Sequence, residues 1–386
     1  MDARRHPPDR PRALTPDPTA DLHEHSTVGE DRPITMRMRL FPRTVLAALL
    51  VLLAAALLAA APVPAGAAQK PKTPKPRTLV PVAGALTAKV GIADQKPDMF
   101  ADKRFAQLGI ANARRSVAWD TMQYDWQIAD VDQWLEAAKD AGVTPVLTFA
   151  RSRIGSRRHM KPTAAQITTA FKAFRKRWPW VTNYVASNES NHFGEPTGRS
   201  PRLAAQWYRA MRQVCPTQCK IAAATLLDYP NLVSWSREFL KYAKVQPKYW
   251  ALHNYISANR FDEARTRQFL QATTGEVWLT EVGGAVKMPT AQAKLPTGTK
   301  HAAQVTRYIL DDLARISKRI TRVYLYHWNA TPGETTWDSA LIDARGKARP
   351  AFIVFKSWLK GSRTGAKLGE LSTEPAAEAK SKSKGR

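Results

Sequence analysis

The chain has 386 residues, 44 % of them hydrophobic, and a formal net charge of +27 at pH 7. That length holds one large domain or two small ones, and the apolar share excludes global disorder. The charge favours polyanions (nucleic acid, anionic membrane surfaces or acidic cell-wall polymers) without choosing among them.

Residues 1–35 are rich in Pro, Arg, Asp and His and lack apolar periodicity. They read as disordered, or as an extension upstream of the true start. Residues 36–67 read as an export signal. Met-Arg-Met-Arg-Leu-Phe-Pro-Arg supplies positive charge, Val45 begins 17 uninterrupted apolar residues, and Ala65-Gly66-Ala67 is a small-residue cleavage pattern. A mature chain starting near Ala68 and located outside the cytoplasm follows. The alternative is an uncleaved anchor, since such a run is at the short end of what spans a bilayer. Residues 68–86 form a Lys/Pro linker of extended character, and residues 361–386 a disordered basic tail.

Residues 87–360 alternate apolar strands with amphipathic helices. Strands are expected at 89–93, 113–119, 144–150, 181–187, 221–227, 249–255, 277–280 and 323–328. Helices are expected at 99–108, 131–141, 163–178, 201–214, 232–243, 262–273, 300–316 and 350–359. Thr163 with Gln166 reads as a capping box, and Pro201 as a first-turn proline. Eight such units imply an α/β protein with a parallel sheet closed into a single (β/α)8 TIM barrel. An open doubly wound sheet is the alternative. No Gly-x-Gly-x-x-Gly follows the first strand, and no phosphate-binding Gly-Lys-Ser/Thr loop occurs.

Cys215 and Cys219 lie in Cys-Pro-Thr-Gln-Cys with no His at zinc-ligand spacing. Two cysteines are too few for a structural zinc site, so a local disulfide is expected in an exported protein. The eight His are scattered and no His-Glu-x-x-His occurs, so no metal and no cofactor is expected.

Two stretches carry the chemistry. Tyr184-Val-Ala-Ser-Asn-Glu-Ser-Asn191 delivers Glu189 at the end of a buried strand. Val277-Trp-Leu-Thr-Glu-Val-Gly-Gly284 does the same for Glu281. Strand C-terminal ends converge on one mouth of a barrel, and two carboxyls facing across a cleft suit glycosidic bond cleavage. Arg114 and Ser116 share a face of strand two, with Trp119 near its end. His253 and Tyr255 share a face of strand six, and Trp328 ends strand eight. The 12 Trp and 10 Tyr exceed what a core of this size needs, and flat rings suit pyranose faces.

Over roughly residues 90–359 these features resemble a retaining glycoside hydrolase of clan A. Asn188-Glu189 is similar to the clan's Asn-Glu pair, and Thr280-Glu281-Val282-Gly283 to its Thr-Glu-x-Gly. The stretch from Leu108 through Arg114 to Trp119 resembles its second strand. His253, Tyr255 and Trp328 fall where the clan places nucleophile-supporting and sugar-platform residues. Ser190 departs from the pattern, standing where the clan commonly has Pro.

The resemblance implies Glu189 as acid/base and Glu281 as nucleophile. Asn188 would meet the sugar 2-hydroxyl, Arg114 would pair with Glu281, and Tyr255 would donate to it. His253 reads equally as a barrel residue or a substrate contact, and Trp328 and Trp119 as sugar platforms or core. His192, Glu195 and Asp338 fall in mouth loops, with Glu195 the rival acid. Tyr124, Trp126, Phe193, Tyr229 and Trp337 would extend the cleft into subsites.

The expected protein is a secreted, monomeric retaining β-glycoside hydrolase acting on a polysaccharide. Its charge would suit an anionic cell-wall polymer, with no nucleic acid and, after signal cleavage, no membrane as partner. A non-catalytic carbohydrate- or cell-wall-binding barrel is the second reading. A basic nucleic-acid or membrane-surface protein is the third, and the sequence carries no nucleic-acid-binding module to support it.

Overall fold

The structure, a computed structural model, describes residues 86–288, 294–334 and 336–364. The expected leader, nearly all of the linker, and the tail from residue 365 lie outside the described residues. Among those described, no helix is long and apolar enough to cross a membrane.

Nine parallel strands make one sheet: Lys89–Ala93 (β1), Asn112–Ala118 (β2), Thr144–Ala150 (β3), Asn183–Val185 (β4), Lys220–Ala222 (β5), Thr225–Leu227 (β6), Tyr249–His253 (β7), Glu276–Val282 (β8) and Ile320–Tyr326 (β9). Their order is β5-β4-β3-β2-β1-β9-β8-β7-β6. β5 and β6 are two halves of one barrel strand, separated by Ala223 and Ala224. Ala223 N–H donates to Tyr249 O at 2.9 Å, and Ala251 N–H donates to Ala224 O at 3.1 Å. These bonds join the two ends of the sheet, so the eight-stranded (β/α)8 barrel is closed.

The strands read as near-continuous apolar runs because both faces are buried. One face meets the helices in the main core. The other fills the barrel with Ala93, Val146, Val185, Ala222, Ala251, Trp278 and Tyr324. The small residues leave room for the two rings and for the buried Arg114 and Arg322. The Arg322 guanidinium lies 4.0 Å from the Trp278 ring centroid and donates to Asn183 Oδ1 at 2.8 Å. Gly91 permits β1 to pack this closely, since a Cβ there would meet Asn112 O at 2.4 Å.

Thr163 does form the capping box with Gln166. Pro201 opens its helix, where Ser200 Oγ accepts from Leu203 N–H at 3.2 Å. The expected helix 99–108 is two pieces, Asp98–Ala101 and Lys103–Leu108. Asp102 is extended there and its carboxylate accepts from Arg104 N–H. Tyr255 leaves the strand assigned to it and starts a short helix, Tyr255–Asn259. Glu281 lies inside β8 rather than after it. The final helix runs to Thr364, past the expected start of the tail.

Cys215 and Cys219 are bonded, with Cα atoms 5.6 Å apart. The bridge closes the turn between the helix Pro201–Val214 and β5. A loop this short restricts the unfolded chain only modestly, by about 2 kcal/mol. Replacing both cysteines with serine is expected to lower the melting temperature by several degrees. An unchanged melting curve would show that the bridge adds nothing.

Candidate active site

Glu189 stands on a turn that the sheet holds rigidly. Asn188 N–H donates to Phe149 O and Ser190 N–H to Thr225 O, each at 2.7 Å. Between these two anchors Glu189 takes φ +36°. That conformation is costly for a side chain with a Cβ, on the order of 1–3 kcal/mol, and persists only where its surroundings enforce it. Asn191 adds a third tie: its amide accepts from Leu227 N–H and donates to Leu227 O, both at 2.8 Å. Ser190 now has a physical reason. A proline there could not donate to Thr225 O, and the Ser190 hydroxyl also meets Ser187 Oγ at 2.5 Å.

Glu281 is aimed by irregular pairing. The register shifts between Leu252 and His253 on one side of β8, and between Leu279 and Val282 on the other. Two residues on, Gly283 passes so close to β9 that a Cβ would meet Tyr326 O at 2.4 Å.

Arg114, fully buried, binds both segments. Its Nη1 pairs with Glu281 Oε1, its Nη2 donates to Asn188 Oδ1 at 2.8 Å, and its Nε donates to Thr148 Oγ1 at 2.9 Å. Burial lowers its pKa to about 10, so it remains a cation at neutral pH. Tyr255 Oη donates to Glu281 Oε2 at 3.2 Å. Burial pushes that phenol well above its ordinary value, which keeps the proton on.

His253 Nδ1 lies 3.1 Å from Glu189 Oε1 and 3.5 Å from Glu281 Oε2. Burial, reinforced by the Arg114 charge, pulls the imidazole down to about 4, so it is neutral at pH 7. Its Nε2 has no partner among the described residues. The Nδ1–H tautomer therefore fits, leaving a lone pair rather than an N–H unmet. Glu189 feels opposing effects: burial raises its carboxyl, but the His253 hydrogen bond, with nearby positive charge, draws it below the ordinary value.

Ligand atoms of Glu189, His253 and Glu281 lie within 4.8 Å of one another. Among the described residues this is the one group that could hold a metal ion. The Arg114 guanidinium already supplies the positive charge beside it, which disfavours a cation.

A cavity of about 280 Å³ opens over the pair, at the lower end of small-ligand sites. Both glutamates line it, with His192, Tyr229, Tyr255, Tyr326 and Trp337. Phe193 is 78 % exposed beside it, its ring 4.6 Å from that of His192. Trp119 and Trp328, expected as possible platforms, belong to the core at 1 % exposure each. Arg157 covers the Trp119 ring, and Trp328 Nε1 donates to Asp102 Oδ2 at 3.1 Å. Neither offers a face to the cavity. Tyr124 and Trp126 also lie outside its lining, each beneath an arginine.

Three contributors escaped sequence reasoning. Tyr326 was findable, because it is two residues from Tyr324 on a strand whose sides alternate. Asp228 and Asn259 act through backbone, which leaves no pattern in sequence. Asp228, fully buried, accepts from Ile256 N–H at 3.1 Å and Ser257 N–H at 2.5 Å. Asn259 donates to Gly283 O at 2.9 Å and accepts from Ala285 N–H at 2.8 Å. The helix carrying Tyr255 is thus clamped at one end to β6 and at the other to the segment leaving Glu281.

Comparison places this fold among known proteins. The family described as glycosyl hydrolase catalytic core matches residues 124–355. Xylanase 10B from Thermotoga maritima has a similar fold, with a TM-score of 0.53 at 11 % identity over 72 % of this chain and 97 % of that one. A GH5_18 structure from Streptomyces cattleya, in complex with GlcNAc, gives 0.51 at 16 %, over 74 % and 82 %. A GH39 β-xylosidase from Caulobacter crescentus gives 0.51 at 16 %, over 73 % and 72 %. No curated protein matches the chain in sequence.

Glu195 lies outside the cavity's lining, 8 % exposed, with Arg151 Nη1 3.9 Å away. Burial pushes its carboxyl up to about 7 from the usual 4.5. The folded chain therefore holds a proton that the unfolded chain has released. Its stabilising contribution is complete below pH 4.5 and is lost progressively as pH rises to about 7. Glu195→Gln is expected to remove that loss. Between pH 4.5 and 8, melting temperatures of the variant should rise relative to the unaltered protein by several degrees. A difference that stays flat with pH would contradict the assignment.

Proposed function

The chain belongs to the glycosyl hydrolase catalytic-core family, and from that premise we propose that it is a retaining β-glycoside hydrolase acting on a polysaccharide. The approach of Glu189 and Glu281 oxygens to within 4.8 Å carries this reading. Retaining enzymes hold their carboxyls about 5–5.5 Å apart, whereas inverting enzymes leave roughly 6.5–9.5 Å for a water.

In this reading Glu281 attacks the anomeric carbon and forms a glycosyl ester. Its environment suits a nucleophile: Arg114 balances the charge and Tyr255 orients one oxygen. Glu189 gives a proton to the departing oxygen, then takes one from the water that cleaves the ester. Asn188, held by Arg114 through its Oδ1, has its amide N–H groups left to meet a sugar hydroxyl. The β-linkage rests on the structural neighbours, which include a xylanase and a β-xylosidase. Polymer rather than small glycoside rests on Tyr229, Trp337 and the exposed Phe193, which extend beyond the reacting pair. Export belongs to the same proposal, supported by the leader's charge, apolar run and small-residue site.

Glu281→Gln is expected to abolish turnover, and Glu189→Gln to leave almost none on natural glycans. An aryl glycoside with an acidic phenol separates the two roles. Azide should rescue Glu189→Ala, giving the β-azide with net retention, and should give the α-azide with Glu281→Ala by single inversion. Wild-type hydrolysis by both alanine variants would move the site elsewhere.

The resting tendency of Glu189 towards its charged form sets a pH signature. A bound glycan excludes water from this side chain, and its glycosidic oxygen accepts only from the protonated acid. Both effects raise the pKa in the complex. The alkaline limb of kcat should therefore lie at higher pH than that of kcat/KM. Coincident limbs would exclude this coupling.

A further inference from the structure

The positive charge of the chain is not spread evenly over the barrel. Residues 161–248 contain 14 Lys and Arg against four Asp and Glu. Three of those four acids, Glu189, Glu195 and Asp228, are in the mouth, which leaves Glu238 alone on the outer helices. The helix before this region, Asp125–Asp140, is the reverse, with five acids and one lysine.

Nine of the 14 basic residues lie on three neighbouring helices. The helices Ala164–Arg177, Pro201–Val214 and Leu232–Ala243 pack side by side on one flank of the barrel. Of the 14 cations 11 are exposed. Among the described residues, two of them meet a carboxylate, Arg177 with Asp132 and Lys241 with Glu238. Bringing so many like charges together costs free energy in the folded state, and these two pairs offset only part of it. Ridges of three helices make this flank convex. A rigid duplex would touch it along one line, whereas a flexible chain can follow it around.

We propose that this flank binds a flexible linear polyanion carrying a phosphate at each repeat. The surface lies beside the cleft rather than across it, so a bound polymer leaves the mouth open to a glycan. The inference stands on the charge distribution and is independent of the glycosidase reading.

The test uses the full chain and four probes: inorganic polyphosphate, a poly(glycerol phosphate), duplex DNA and anionic phospholipid vesicles. Polyphosphate and poly(glycerol phosphate) should both bind. About five phosphates engaged, each contributing roughly −0.7 to the log–log salt slope, predicts about a hundred-fold weakening from 50 to 200 mM salt. Reversing Lys172, Lys176, Arg237, Lys244 and Lys248 to Glu should remove most of that binding and flatten the slope. Reversing five exposed lysines elsewhere (Lys103, Lys139, Lys300, Lys318 and Lys356) makes the same change in net charge and should leave affinity within about threefold. Melting curves establish that both variants fold. Equal losses in the two variants, or no loss in the first, would overturn the proposal. So would duplex DNA or vesicles binding more tightly than the flexible phosphates.

Discussion

Arg114 has no exposed surface, so its guanidinium must find acceptors and a counter-charge inside the barrel. Burying a cation is expensive unless it is both paired and hydrogen-bonded. Thr148, Asn188 and Glu281 meet that need from three different strands or their ends. Each becomes fixed in turn, and with them the relative placement of the two carboxyls. The barrel interior is otherwise built largely of alanine and valine at this level, which gives the arginine its room.

His253 is the second constraint, and it works as a neutral group. Two carboxylates this close repel, and one N–H facing both of them reduces the repulsion without adding a charge. Arg114 and burial together prevent the imidazole from protonating, so the site holds one cation between two acids. The surrounding ties are mostly backbone bonds. Phe149 O, Thr225 O and Leu227 hold the Glu189 turn, and Asp228 and Asn259 hold the helix bearing Tyr255. A turn with a strained φ and a helix of five residues would not keep their shape in isolation.

The outer surface obeys a different rule. Charge on the helices is segregated by element, with an acidic helix next to a strongly basic flank. The active site is built from strand ends, loops and the short helix Tyr255–Asn259, and shares no side chain with this flank, so substitutions on one can be made without altering the other.

Much of this was legible in the chain. Strand and helix alternation arises from local periodicity, and eight units of it admit few architectures. Glu189, Glu281, Arg114, Asn188 and His253 were all identifiable, because strand ends and period two dictate which side chains reach a barrel mouth; Tyr255 reaches it from a helix, not by the strand periodicity that singles it out in the sequence. The disulfide was legible too, since four residues of separation leave little choice of partner. What only the tertiary structure decided was which aromatic rings face the cavity. Trp119 and Trp328 have the same sequence credentials as Trp337, yet they pack inward, because loop paths set by distant contacts such as Trp328 with Asp102 turn them. The roles of Asp228 and Asn259 were likewise hidden, since they bind main-chain groups, which every residue carries and no sequence pattern marks. Periodicity is a local property of the chain, whereas the direction a loop side chain takes depends on partners hundreds of residues away.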